Sequence, residues 1–409
     1  MTLIRRLGTW TSFVILAACS DPSGPGKAST IDRLPRQLSV AEQKLVAGNN
    51  AFAFELMRQV NSSAANANVF VSPLSASMAL GMTANGSAGS TWEAMRSTLG
   101  LGSASREEIG EGYKSLIALL RDLDESTDFR IGNSIWYESS FPFEQSFLAD
   151  SKSFFDAEIR GLDFRSPSSL GAINGWVSDA TEKRIPKILD GLDGDEVMYL
   201  INAIYFKGNW RNRFDRGATA QAPFHALDGS VAQVPMMFRS GTQRTGGAPE
   251  YRAVELLYGN SAYAMTIVLP NEGVNVNDLL ASMTQSRWEE LVSSMSEYPQ
   301  PLYLPRFSLT WEKTLNEDLI ALGMGIAFNG NEADFSRISS RRLVISKVIQ
   351  KTFLEVDEDG TEAAAATAVG MVPVSAPQPF RVDRPFLFAI RERYSGTILF
   401  MGKIAKLPG

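Results

Sequence analysis

Apolar residues recur at helical intervals through residues 39–60, at Val40, Leu45, Val46, Phe52, Leu56, Met57 and Val60, and Ser39 stands where an N-cap belongs. The spacing predicts a helix there. Residues 107–123 repeat Ile109, Tyr113, Leu116, Ile117 and Leu120 in the same way. Residues 66–81 begin as a short apolar run, Val69-Phe70-Val71, break at Ser72-Pro73 and restart as a helix through Ser75, Met78 and Leu80. Proline suits the first turn of a helix, where its missing N–H would have no partner in any case. Residues 198–206, 263–269 and 386–390 are continuous apolar runs, the mark of strands buried on both faces. Tyr303, Pro305, Phe307 and Leu309 alternate with other residues, as on a strand with one exposed face. Helices and strands are interspersed without a regular strand–helix–strand rhythm, which predicts an α+β fold. No internal repeat or linker divides residues 39–409, so they read as one large domain.

The amino-terminal end has a different pattern. Arg5 and Arg6 precede a mostly apolar run over residues 7–18, the length of a signal-peptide core. The run ends Leu16-Ala17-Ala18-Cys19, which resembles the lipobox of bacterial lipoproteins, whose cysteine is lipidated and becomes the first residue. Cys19 is the only cysteine of the 409 residues. Residues 1–18 are therefore expected to be a signal peptide. Residues 19–38 are expected to be a flexible tether, because residues 20–37 hold three Pro, two Gly and three Ser with no apolar period. A multiply acylated Cys19 would hold the body to a membrane surface outside the cytoplasm. Ser20 after the cysteine favours the outer membrane, again by resemblance.

Composition removes several functions. With 44% apolar and 21% charged residues the chain is globular. Net charge is −6, and about −8 once Arg5 and Arg6 leave with the signal, so a nucleic-acid partner is not expected. The densest basic cluster, Arg337, Arg341 and Arg342, reads as a solvated face. One cysteine excludes an internal disulfide and a cysteine-rich zinc site. With one histidine, His225, and no Gly-x-Ser-x-Gly or phosphate-cradling motif, the chain lacks the machinery of the common hydrolases and nucleotide enzymes. Residues 355–360 imitate the start of a calcium loop, but Ala366 stands where the bidentate carboxylate belongs. No cofactor or metal is expected.

The most unusual stretch is Gly360-Thr361-Glu362-Ala363-Ala364-Ala365-Ala366-Thr367-Ala368-Val369, followed by three prolines within residues 373–379. Local propensity alone would make the alanine run a short surface helix. It has no apolar stripe with which to dock, and the prolines after it require an exposed extended loop. As a strand, Thr361, Ala363, Ala365, Thr367 and Val369 would share one face of small or β-branched side chains.

From Glu358 through Thr367 the sequence resembles the hinge of the serpin family. The resemblance covers residues 39–408. Val69-Phe70-Val71-Ser72-Pro73-Leu74-Ser75 is similar to the shutter segment. Asn202-Ala203-Ile204-Tyr205-Phe206-Lys207-Gly208-Asn209-Trp210 is similar to the strand that leads to the breach tryptophan. Val234-Pro235-Met236-Met237, Leu304-Pro305-Arg306-Phe307, Leu322-Gly323-Met324, Ala333-Asp334-Phe335-Ser336 and Asp383-Arg384-Pro385-Phe386-Leu387-Phe388 follow in the family's order.

The resemblance implies about nine helices around three mainly antiparallel sheets, with an exposed reactive-centre loop. It implies an inhibitor without catalytic residues, whose partner is a serine protease of chymotrypsin-like fold. The hinge would be Glu358, Gly360, Thr361, Glu362, Ala363, Ala364, Ala365, Ala366 and Thr367. Ser72, Ser75, Asn202, Trp210 and Gln350 would form the shutter and breach. Family spacing puts the reactive bond at Val374–Ser375, and the small apolar Val374 suits an elastase-like pocket. A monomer is expected. A non-inhibitory binding or chaperone module on the same fold is the alternative. Gln350 stands where most members have a histidine; it can still donate and accept, but it does not titrate. Arg381 stands where the family signature has glycine. A net-acidic 107–125 segment argues against heparin-type activation.

Overall fold

In a computed structural model of the chain, residues 29–193, 196–360 and 378–409 are described. Along the chain run α1 (Val40–Ser62), β1 (Val69–Val71), α2 (Pro73–Asn85), α3 (Gly89–Thr98), α4 (Arg106–Asp122), β2 (Thr127–Glu138), α5 (Gln145–Phe155), β3 (Glu158–Leu162), α6 (Pro167–Ala180) and β4 (Met198–Gly208). Five strands follow: β5 (Asp215–His225), β6 (Val231–Arg239), β7 (Thr242–Ala248), β8 (Tyr251–Leu257) and β9 (Tyr263–Pro270). The remainder comprises α7 (Val276–Ser282), α8 (Gln285–Ser294), β10 (Ser296–Pro299), β11 (Leu302–Pro305), β12 (Phe307–Thr314), α9 (Asn316–Leu319), β13 (Ile349–Val356), β14 (Phe380–Arg381), β15 (Phe386–Glu392) and β16 (Ile398–Ile404).

The expected α+β class is observed, with nine α-helices among the described residues. Among the described residues hydrogen bonding groups the strands into four sets. A seven-stranded sheet has the order β1-β16-β15-β9-β8-β7-β10, and a four-stranded one the order β14-β11-β6-β5. A three-stranded sheet, β3-β2-β4, and a two-stranded one, β12-β13, complete the set. All pairs are antiparallel except β2 with β3 and β11 with β14. The last two sheets meet along β4 and β13, but no ladder joins those strands among the described residues.

The core lies on the seven-stranded sheet. Every residue of β9, β15 and β16 is buried, as their continuous apolar runs require. Phe70 of β1 packs 5.2 Å from Phe400 and 5.6 Å from Phe388, ring centre to ring centre. β4 departs from expectation. Its run is as apolar, but burial largely alternates. Tyr199, Ile201 and Ala203 pack in a small cluster with Ile173 and Val177 of α6, whereas Ile204 and Phe206 join the main core. The single strand expected through Tyr303 and Leu309 is two. Pro305 has no N–H, and Arg306 turns its own to Pro235 O at 2.8 Å, so β11 pairs with β6 while β12 crosses to β13.

α1 begins as predicted. Ser39 Oγ accepts from Glu42 N–H, and the Glu42 carboxylate accepts from Ser39 N–H at 2.7 Å, a complete capping box. The segment before it is docked from Ile31 onward. Ile31 N–H donates to Asn260 O at 3.0 Å, the Tyr394 hydroxyl donates to Ile31 O, and Ile31, Leu34 and Leu38 pack against the core. Arg36 grips Glu42 through both guanidinium arms and also reaches Ser115 of α4.

Burial alone would raise the Glu42 carboxyl. The Arg36, Ser39 and Ser115 hydrogen bonds and the Arg36 charge outweigh it and hold the group at about 2. A folded-state value below the unfolded value of roughly 4.3 means that this pair stabilises the fold above that pH and is lost as pH falls through about 2. Arg36→Ala is expected to cost about 1.5 kcal/mol at neutral pH. Its deficit should shrink as pH falls towards about 3, because the uncompensated carboxyl can then protonate. Denaturant midpoints of both proteins across that range check this; a deficit independent of pH would contradict it.

Candidate functional site

β13 and β4 end side by side, and the chain beyond β13 turns across the top of both. Asp357 makes the turn: its carboxylate accepts from Asp359 N–H at 3.0 Å and Gly360 N–H at 3.1 Å. Gly360 has φ +123°, and a Cβ there would lie 2.3 Å from Gly208 O and 2.5 Å from Trp210 N. Only glycine fits, for both reasons. Gly360 forms an antiparallel bridge with Asn209, the residue after β4. Trp210 N–H donates to Asp359 O at 2.7 Å, its indole N–H donates to Asp357 O at 2.9 Å, and Phe214 N–H donates to Glu358 O at 2.8 Å. Trp210 is 2% exposed and stacks on Tyr258 with ring centres 4.4 Å apart. The expected breach tryptophan thus fastens the chain at Asp357 and Asp359, and Phe214 fastens it at Glu358.

Three consecutive acids enter this turn, and each meets a different environment. Glu358, 2% exposed, accepts from Thr219 Oγ1 at 2.7 Å and lies 3.5 Å from Arg306. Asp359 is ion-paired with Arg216 and lies 3.4 Å from Arg213. Asp357 is pushed up from the usual carboxylate range by burial and by the Asp359 and Glu358 charges, against the pull of its two N–H donors.

A second group of contacts lies lower, beneath β4 and β13. Ser72 caps α2, and its hydroxyl donates to Leu399 O at 2.8 Å. Gln350 accepts from Ser72 N–H at 3.0 Å and donates to Ser72 O at 2.8 Å. Gln350 thus meets Ser72 as expected, but through the backbone and not the hydroxyl. Asn202 takes no part in that exchange. It accepts from the Ser75 hydroxyl and donates to Asn133 of β2. The residues expected to form the shutter thus make two separate links, one from α2 to β13 and one from α2 to β4. Arg381 lies over the Tyr303 ring, its guanidinium carbon 4.0 Å from the centre.

Cys19, Thr361, Glu362, Ala363, Ala364, Ala365, Ala366, Thr367, Val374 and Ser375 lie outside the described residues. Asn133, Thr219, Arg213, Arg216 and Tyr258 were not anticipated. Asn133 faces Asn202 directly in the β2–β4 ladder, so recognising β2 as a strand would have found it. No cluster of metal-binding side chains is present among the described residues.

Comparison with known proteins agrees with this architecture. The family described as Serpin (serine protease inhibitor) matches residues 47–407. The human leukocyte elastase inhibitor is 33% identical over 382 residues, covering 89% of this chain and 99% of that protein. The rabbit corticosteroid-binding globulin is 33% identical over 391 residues, covering 94% and 99%. The thermophilic serpin tengpin in its native state superposes with a TM-score of 0.80 at 29% identity, covering 93% of this chain and 97% of its own. Human thyroxine-binding globulin superposes at 0.83 and 28%, covering 90% and 100%. A family match over nearly the whole body, together with relatives at 33% identity covered to 99% of their length, makes this chain a member of the serpin family.

Proposed function

We propose that the protein is a suicide-substrate inhibitor of serine proteases with elastase-like specificity, carried outside the cytoplasm on a bacterial membrane by a lipid on Cys19. The observation that carries the inhibitory reading is the pair β4 and β13, adjacent yet without a ladder between them among the described residues, with the hinge entering at their common end. A strand added there would gain hydrogen bonds on both sides.

The chemistry belongs to the protease. Its serine attacks the Val374 carbonyl, the Val374–Ser375 amide breaks, the Ser375 amine leaves with a proton, and an ester joins Val374 to the protease. The freed strand from Thr361 to Val374 has fourteen residues and spans about 46 Å. Its insertion would carry the attached protease that far before water removes it. Thr361, Ala363, Ala365 and Thr367 would face the core, and none is bulky or charged. Attack after Met371 would shorten the inserted strand by three residues. No Lys or Arg lies between Lys351 and Arg381, which disfavours trypsin-like targets. The 33% identity to the human leukocyte elastase inhibitor supports the same specificity.

Mixing the protein with an elastase is expected to give an SDS-stable band at the summed mass and a C-terminal fragment beginning at Ser375. Thr361→Arg would bury an unpaired charge on insertion, so the band should weaken several-fold while cleavage continues. Fragments without a band from the unaltered protein would favour the non-inhibitory alternative. Cys19→Ser should abolish fatty-acid labelling and move the protein to the aqueous phase on detergent partition; labelling that persists would refute the anchor.

A further inference from the structure

The ladders at the hinge fix a register that can be continued downward. Gly360 faces Asn209 antiparallel. Continued by an inserted strand, that pairing would set Met371 opposite Met198 and Val372 opposite Val197. On the other side, Asp357 N–H donates to Gly360 O at 3.1 Å and Gly360 N–H to Asp357 O at 3.4 Å. Continued by an inserted strand, that pairing would set Met371 opposite Ser346, Val372 opposite Ile345 and Val374 opposite Leu343. The two registers imply one offset between the strands, which also sets Asn202 level with Gln350, the two residues that α2 holds through Ser75 and Ser72.

The residues so reached line a single cavity of about 220 Å³ at the lower end of β4 and β13. Its walls include Val197, Met198, Leu343, Ile345 and Phe335, with Arg342 also in the lining. Lys347 is paired with Glu196 at 3.1 Å, and Arg341 lies over the Phe141 ring. Arg342 is exposed and has no ion pair or hydrogen bond among the described residues. A cleaved chain continued in that register past the start of β13 would bring the main-chain carbonyl of Val374 beside Arg342, one step beyond Leu343.

We propose that this cavity receives residues 371–374 of the cleaved chain and that Arg342 binds the carboxylate newly formed at Val374. The proposal rests on the inhibitory reading and adds the terminus of the path. Met371, Val372 and Val374 supply apolar groups for the walls, and methionine adapts to irregular space. The planar guanidinium suits a carboxylate with two parallel hydrogen bonds. The charge does not exist while the protease is attached, because Val374 is then an ester. Hydrolysis adds water across that ester, returns the hydroxyl to the protease serine, and leaves the carboxylate after loss of a proton. Arg342 would therefore hold the hydrolysed product and not the covalent complex.

Two synthetic peptides of residues 361–374 test this, one ending in a free carboxylate and one in an amide, each added to the intact uncleaved protein. Affinity is read by native-gel shift and by the rise in denaturant midpoint. The acid is expected to bind about fivefold more tightly than the amide, and the preference should weaken with added salt. Arg342→Ala should remove the preference and leave amide binding unchanged, while Arg342→Lys should keep most of it. Equal affinity of acid and amide for the unaltered protein would overturn the Arg342 site while leaving insertion intact. Failure of both peptides to bind would overturn the insertion reading and this proposal with it.

Discussion

β4 and β13 touch without sharing a ladder among the described residues, and this is the constraint on which the rest of the structure depends. β4 is hydrogen-bonded to β2, and β13 to β12, and the two sheets meet between them. Backbone polar groups seek partners, so such a seam has to be held at defined points. At the top it is held by the Gly360–Asn209 bridge and the Trp210 donors. In the middle α2 ties β13 through Ser72 and β4 through Ser75. The core on the seven-stranded sheet gives α2 a fixed base, since the Ser72 hydroxyl is itself tied to β16 at Leu399.

Each tie has a chemical reason to hold and a reason to be releasable. The top one is made of main-chain bonds around a glycine that no other residue can replace, and of buried acids whose arginine partners stand partly in solvent. Partly exposed partners weaken such pairs relative to a fully buried one. The middle tie uses an uncharged Gln350, so protonation near neutral pH does not alter it. Insertion of a cleaved loop in serpins releases strain stored in the native fold, and a seam of this kind is where that strain would be released.

Much of the active geometry was legible from residues whose type is forced. Gly360, Pro73 at the start of α2 and the Ser39 cap each answer a local requirement, and local requirements show in sequence. Pairing does not. β13 buries Gln350 and Thr352 as well as Leu354 and Val356, so its inner face is half polar and has no hydrophobic period to read. The break at Arg306 depends on which strands flank it. The docking of Ile31 and Leu34 depends on Asn260 and Tyr394, far away in sequence. Asn133 shows the same limit: its partner on β4 was recognised, but the strand that presents it was not.

The central claim is that a free strand belongs between β4 and β13 and that the uncleaved chain lacks the stability it would confer. Limited cleavage within residues 361–377 by a protease that is not trapped isolates that change from inhibition. Denaturant unfolding of the cleaved and uncleaved proteins, followed by tryptophan fluorescence, measures it directly. The account predicts a midpoint that rises well above that of the uncleaved protein, because a new ladder forms on both sides of the seam. A midpoint that stays unchanged or falls on cleavage would contradict it.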